Sequence, residues 1–365
     1  MLKHKDHFHG SDLEKIEAVY GIKKENIVSF SANVNPLGIS YKLKETLSEQ
    51  LDAITSYPDR EYKALRKAIA EYADTQFENI IVGNGSTELI SLFIQTQRVK
   101  KALILGPTYS EYEREITLGG GTTLYYPLKE EKDFQMDVDD FCKHLNDSID
   151  LLVLCNPNNP TSTALNRGQM RQILDACLQN GTFVMIDETY VEFAPTEEKI
   201  TAIPLTNYYS NLIILRGTSK FFASPGLRLG YAVTGNNDLI KAINTRQNPW
   251  TINSLAEIAG RIMFADKEYQ NHTFQHIDTE RTAIYEEMSS WDTVKVYKPL
   301  ANFMLCRIKK EGVDADTLFD HCIRQGLMIR NCSTFPFLDD KYFRFCFMSH
   351  EDNQRLLNAI KEILK

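Results

Sequence analysis

The chain reads as an α/β protein, a mainly parallel sheet covered by helices on both faces, followed by a smaller α+β domain. Three observations predict this. Apolar strand-like runs alternate with helical patterns from Ile80 to Val233, as expected when strands are buried on both faces. Three of those runs, at 151–155, 183–187 and 211–215, stop at polar turns, and open sheets of this kind gather ligands at the carboxyl ends of their strands. Past residue 290, runs at 294–296, 303–307 and 342–347 alternate as antiparallel strands, with helical patterns at 315–325 and 351–364. No Gly/Ser-rich linker intervenes. The division is expected inside a helical stretch, giving an arm at 1–44, a large domain at 45–265 and a small one at 266–365.

The elements follow in order. A helix is expected from Asp12, as cap, to Tyr20, with Gly21 as the stop. Ser29 to Gly38 is extended and turns at Asn35-Pro36. Helices are expected at 42–54 and 62–72, and a short strand at 80–82. Gly83-Asn-Gly-Ser-Thr-Glu88 then leads into an apolar helix at 89–97. Glycines and hydroxyls at a helix start make an anion site, because free N–H groups and the helix dipole point at the ligand; Glu88 reads as a first-turn helix charge. A buried strand at 102–105 runs into Gly106-Pro-Thr-Tyr-Ser-Glu-Tyr112, where Tyr112 reads as core. A strand at 124–128, a helix at 137–145 and a helix at 170–179 closed by Asn180-Gly181 follow. From Asn248 to about Met288 the pattern is helical with a break.

Composition excludes several functions. The 365 residues carry a formal net charge of -8, so a nucleic-acid surface is not expected and an anionic ligand needs local arginines. Hydrophobic content of 43% and charged content of 25% are those of a soluble globular protein. There is no apolar run of membrane-spanning length and no signal-peptide core. The seven cysteines lack CxxC spacing, which fits reduced thiols in the cytoplasm. No metal is expected, since His4, His7 and His9 have no acidic or cysteine partners at ligand spacing.

The chemistry concentrates in three strand ends. Lys220 follows the strand ending near Leu215, with Thr218 and Ser219 before it and Arg228 eight residues on. An amine there can condense with a carbonyl, while hydroxyls and a guanidinium suit a phosphate. Together they suggest a phosphorylated aldehyde, and pyridoxal phosphate is the obvious one. Asp187 ends a second strand and would supply the carboxylate for a pyridine nitrogen, with Tyr190 as a donor near the phenolic oxygen. The third strand runs into Asn156-Pro-Asn-Asn-Pro160, a turn able to offer an amide. The competing reading of the lysine stretch alone is a surface turn and a Gly-rich loop.

On these motifs the chain resembles the fold-type I pyridoxal-phosphate enzymes of the class I/II aminotransferase group, over nearly its whole length. Within that group it is most similar to the threonine-phosphate decarboxylases, a cobalamin-pathway family related to the histidinol-phosphate aminotransferases. The stretches Ser31-Ala-Asn-Val-Asn-Pro-Leu-Gly38 and Pro249-Trp-Thr-Ile-Asn253 carry the preference. The resemblance implies a seven-stranded-type sheet, pyridoxal 5'-phosphate as cofactor, and a homodimer. It implies that Lys220, Asp187, Tyr190, Asn159 and Tyr109 serve catalysis, Tyr109 by stacking on the pyridine face, where core packing is the rival reading. It implies a phosphate held by Ser86, Thr87, Ser219, Arg228 and the partner's Tyr57, with Thr218 alongside. It implies a substrate held by His9, Asn33, Gly38, Arg330 and Arg344, the last on the carboxylate and Arg330 on the phosphate; from residues alone either arginine is as readily a surface charge. Ser11, Ser162 and the stretch Phe347-Met-Ser349 depart from the family pattern. The implied reaction is decarboxylation of an O-phosphorylated amino acid. Transamination of the histidinol-phosphate type on the same fold is the alternative, and a silent cofactor-binding protein the remote one.

Overall fold

The computed structural model describes Gly10 and residues 12–365. The strands are β1 (Val28–Ser29), β2 (Ile80–Gly83), β3 (Lys101–Gly106), β4 (Thr122–Pro127), β5 (Leu151–Cys155), β6 (Phe183–Asp187), β7 (Leu212–Gly217), β8 (Gly230–Val233), β9 (Val294–Val296), β10 (Phe303–Ile308), β11 (Leu327–Met328), β12 (Arg330–Asn331) and β13 (Tyr342–Cys346). Among the described residues they form three sheets.

The large sheet has seven strands in the order β2-β8-β7-β6-β5-β3-β4. It is parallel except at β8, which runs antiparallel to both β2 and β7. Every residue of β5 and β7 is buried, so β5 and residues 212–215 of β7 read as unbroken apolar runs. Fully burying one such side chain stabilises the fold by roughly 1.5–3 kcal/mol, which fixes the sheet at the centre of the core. The crossovers bring the carboxyl ends of β5, β6 and β7 side by side, with Cys155 paired to Asp187 and Asp187 to Leu215.

The second sheet, β12-β13-β10-β9, is antiparallel and carries the C-terminal helix His350–Leu364. The N-terminal segment bridges the two sheets. β1 pairs with β11, and the Phe30 carbonyl accepts from the Cys346 amide at 2.8 Å. A few residues on, the Asn35 amide donates to the Lys220 carbonyl at 3.0 Å. The Asn35 side chain donates to Phe221 O, Tyr269 Oη and Thr273 Oγ1.

Several sequence expectations need correction. The helix expected at 42–54 ends at Glu49 and gives way to a tighter turn, Leu51–Thr55. The one at 137–145 is only Val138–Cys142. The helix after Gly83 begins at Gly85, not at residue 89. The long helical stretch starts at Ser254 rather than at Asn248; it breaks as expected, into Ser254–Ala265 and Lys267–Ser289, with the side chain of Asp266 capping the second. Helices Glu111–Leu118 and Asn237–Arg246, and the antiparallel strand β8, were not anticipated. All seven cysteines are free. Among the described residues no helix is long and apolar enough to cross a membrane, and no cluster of His, Cys, Asp or Glu could hold a metal. His4 and His7 lie outside the described residues.

Candidate active site

A cavity of about 280 Å³ opens at the carboxyl ends of the central strands. Ser86, Thr87, Tyr109, Asn159, Asp187, Tyr190, Ser219, Lys220 and Arg228, separated widely in sequence, all line it.

Lys220 stands just beyond β7. Its amine donates to the Ala32 carbonyl at 2.7 Å, so the segment 31–35 and the lysine loop are laced together. Burial pushes its pKa down to about 8, and the guanidinium groups of Arg344 and Arg228 push the same way. A lysine so placed is still mostly protonated at about pH 7, but its neutral, nucleophilic fraction is far larger than that of an ordinary lysine.

Asp187 closes β6 and is buried. Its Oδ1 accepts from the Thr189 amide at 2.9 Å and from the Thr189 hydroxyl. Its Oδ2 accepts from the Tyr112 hydroxyl at 2.7 Å. Burial pushes this carboxyl up, and the Thr189 and Tyr112 donors and the Lys220 charge pull it back. Tyr112 is thus buried as expected of a core residue, yet its hydroxyl orients the acid. Tyr109 lies edge-on to Tyr112 with ring centroids 5.5 Å apart. Tyr190 packs edge-on to Phe303, and its hydroxyl accepts from the Asn33 amide at 3.4 Å.

The anion end is built from backbone. Helix Gly85–Gln97 points its first turn into the cavity, with Ser86 and Thr87 on the wall. Gly85 has φ +76, and a Cβ there would sit 2.5 Å from Arg228 Nη2. A Cβ on Gly230 would meet the Ser86 nitrogen at 2.5 Å. Only glycine lets the arginine and the helix start approach this closely. Glu88 faces away, accepting from the Asn84 amide and bonding Thr251 and Gln247, so it ties down the 247–251 turn. A lysine amine, a buried carboxylate and a helix start cradled by Arg228 are the donor set that pyridoxal phosphate requires, and the residues fit it. Bound there, the cofactor would supply an electron sink for bonds at the substrate's Cα.

Behind the wall lies a second polar layer. Arg344 is buried; it bonds Asn159 Oδ1 through Nη1 and the Ser31 carbonyl through Nη2 at 2.8 Å. Asn33, at φ +55, has its carbonyl held by the Asn302 amide at 2.9 Å. Ser31 Oγ, Asn33 Oδ1 and Arg344 Nε are buried and have no hydrogen-bond partner among the described residues. Unpaired buried polar atoms are costly and mark places where a ligand completes the bonding. Arg330 faces Arg344 directly across β12 and β13, and its Nη2 donates to Thr334 Oγ1 at 3.1 Å.

The remaining expectations divide. Thr218 does not reach the cavity; its hydroxyl donates to the Leu229 carbonyl. The Gly38 carbonyl accepts from Tyr269 at 2.6 Å and Gly38 is not on the wall. Tyr57 is exposed and stacks near Trp250, away from this chain's own cavity. His9 and Ser11 lie outside the described residues. Ser162, where the family pattern has glycine, sits at φ +60 and uses its hydroxyl to accept the Leu300 and Ala301 amides. Sequence reasoning missed Thr189 and Tyr112. The Asp-x-Thr spacing could have revealed the first, since an Asp commonly accepts from the amide two residues on; nothing local signals the second.

Comparison with known proteins agrees with this geometry. The family model described as aminotransferase class I and II matches residues 25–360. A threonine-phosphate decarboxylase of Salmonella typhimurium is 32% identical over 98% of this chain and 96% of its own length. A histidinol-phosphate aminotransferase of Desulfitobacterium hafniense is 35% identical, over 93% and 92%. The solved structure of an L-threonine-O-3-phosphate decarboxylase from Porphyromonas gingivalis superposes with a TM-score of 0.80 at 26% identity, over 92% of this chain and 98% of that one. Identity alone therefore does not separate the two activities, and the assignment of reaction rests on the residues of the site. At the level of family there is no such division: this chain belongs to the class I and II aminotransferases.

Proposed function

We propose that the protein is a pyridoxal-phosphate-dependent decarboxylase of an O-phosphorylated amino acid, with L-threonine O-3-phosphate as substrate and aminopropanol phosphate as product, in cobalamin biosynthesis. The observation that carries this is the pair Arg330 and Arg344, opposite each other across two strands with unpaired polar atoms beside Arg344. A substrate bearing both a carboxylate and a phosphate would engage both guanidinium groups at once, whereas histidinol phosphate offers only the phosphate.

In this reading Arg344 and Asn159 grip the carboxylate, and Arg330 and Asn33 take the phosphate, with Gly38 at the edge of the substrate site. Lys220, whose amine is held by the Ala32 carbonyl, would hold the cofactor and would be placed to return a proton to Cα. Asp187, held by Thr189 and Tyr112, keeps the pyridine nitrogen protonated. With the cofactor bound as electron sink, the arginines would choose the reaction by fixing the orientation of the substrate's Cα. Ser86, Thr87, Ser219 and Arg228 hold the cofactor phosphate, joined by the partner's Tyr57 in a homodimer. Exposed Tyr41, Leu51, Ile54, Tyr57 and Trp250 on this chain support such an interface. The division at 1–44, 45–265 and 266–365 is part of the same reading, supported by the helix break at Asp266. A cytoplasmic setting fits the seven free cysteines.

The test is to supply O-phospho-L-threonine to the cofactor-loaded enzyme and follow carbon dioxide release. Catalytic gas release supports the reading. The second reading, transamination, is favoured by the Desulfitobacterium relative, and one-for-one conversion of the cofactor to its amine form without gas would establish it instead.

A further inference from the structure

Between Arg330 and Arg344 the chain leaves the small sheet and reaches across to the large one. Residues 332–340 are anchored to the small domain at both ends. The Cys332 amide donates to the Tyr342 carbonyl at 2.9 Å, and the Ala315 amide donates to the Asp340 carbonyl at 2.7 Å. Phe335 and Leu338 are buried. Phe337 between them is not: it is 58% exposed and adopts φ +67. A bulky residue in the left-handed region is a backbone outlier of the kind that clusters at functional sites.

What holds Phe337 there is the large sheet. Its ring lies against Gly106, the last residue of β3, so closely that a Cβ on Gly106 would sit 2.3 Å from Phe337 Cε2. The ring also meets Tyr125 of β4 edge-on, with centroids 5.8 Å apart. Gly106 leads into the turn that carries Tyr109 and Tyr112. The other side of the same strap holds Arg330. Thr334 Oγ1 accepts from its guanidinium, which lies over the Phe335 ring with 5.4 Å to the centroid.

We propose that Phe337 is a positioning residue: by docking on Gly106 and Tyr125 it sets the strap that aims Arg330, so recognition of the substrate's phosphate is coupled to contact between the two domains. This rests on the reading that Arg330 receives that phosphate. A ligand that bonds Arg330 favours the docked strap, and the docked strap favours the ligand, by the same factor. An amino acid without a phosphate gains nothing from docking.

Two substitutions attack the contact from opposite sides, Phe337→Ala and Gly106→Ala, with Phe337→Leu as the conservative control. In the holoenzyme each alanine variant is expected to raise KM for O-phospho-L-threonine about tenfold with kcat within about threefold. Phe337→Leu restores most of the affinity. In an Arg330→Ala background, Phe337→Ala adds less than about twofold, because the two act through one contact. Full additivity, or a fall in kcat at unchanged KM, overturns the proposal. Hydrogen exchange with inorganic phosphate supplies a readout independent of turnover. Phosphate should slow exchange in 332–340 and 106–112 together in the wild type, and in neither segment in Phe337→Ala or Arg330→Ala. Protection confined to 332–340, or surviving in Phe337→Ala, overturns the coupling. If wild-type enzyme releases no carbon dioxide from O-phospho-L-threonine, the proposed function fails, and the exchange result alone still decides the strap.

Discussion

At the scale of single residues, Lys220 carries the account. Its amine is held by one carbonyl and depressed to about 8 by burial and by two arginines. The neutral amine is the reactive form, so capture of pyridoxal phosphate by the apo-protein should quicken about tenfold per pH unit below 8 and level off above it. Absorbance of the newly formed cofactor band after mixing checks this; levelling only near the ordinary lysine value of 10.5 would contradict it. Lys220→Ala should abolish turnover, and a near-normal rate would refute its role. Asp187 and its donors form the second unit. Asp187→Asn should lower kcat by about 10²–10⁴-fold with a smaller loss of cofactor affinity. Tyr112→Phe should reproduce a fraction of that defect, since it frees one carboxylate oxygen without removing the charge. Turnover and cofactor titration on the two variants distinguish them.

At the scale of elements, the start of helix Gly85–Gln97, Arg228 and the first residue of β8 make the proposed phosphate cradle by close approach. Gly230→Ala places a methyl group against the Ser86 nitrogen, which is backbone and cannot rotate away. Overpacking of this kind costs about 1–3 kcal/mol, and here the displaced group is also a cofactor donor. The variant should lose cofactor affinity as well as thermal stability; retention of wild-type affinity would argue that the helix start does not face the phosphate. The carboxyl ends of the central strands were the part most legible in the sequence. The runs 151–155, 183–186 and 212–215 are apolar and lead into Asn, Asp and Lys turns, so strand, boundary and chemistry announced themselves together. Helix Glu111–Leu118 and strand β8 did not. The helix carries three acidic residues, Glu111, Glu113 and Glu115, in eight positions and begins straight after a Pro-Thr-Tyr-Ser turn, which masks its period. β8 has four residues, and its antiparallel direction is set by tertiary pairing with β2 and β7, which no local pattern records.

At the scale of the whole molecule, a buried ionic knot keeps β6 and β7 in register beneath the cavity. Arg216 of β7 donates through Nε and Nη2 to Glu188 Oε2 at 3.0 and 2.8 Å, and reaches Glu197 at 3.2 Å. Both Arg216 and Glu188 are buried, and the Ala202 amide donates to the other Glu188 oxygen at 2.6 Å. Removing one partner leaves the other charge unpaired in the core, so Arg216→Met should cost about 3–5 kcal/mol. A denaturant midpoint unchanged from wild type would show that the knot does not stabilise the fold. Arg216 lies between the apolar run at 211–215 and Lys220, yet its role is invisible in the sequence, because Glu188 and Glu197 become its neighbours only when the chain folds. The same holds for the N-terminal bridge, where Asn35 was legible as a turn and its three bonds to Phe221, Tyr269 and Thr273 were not. The site is in this sense divided: its reactive groups are written at strand ends, and the bonds that aim them are written in the topology.

The central claim is that two opposed arginines orient a phosphorylated amino acid for loss of its carboxyl group. The most direct measurement supplies O-phospho-L-threonine labelled at the carboxyl carbon to the loaded enzyme, and to Arg344→Leu. The account predicts many turnovers of labelled carbon dioxide per active site, with aminopropanol phosphate as co-product, and a loss in the variant seen in both KM and kcat. Retention of the label with stoichiometric conversion of the cofactor to its amine form would contradict it.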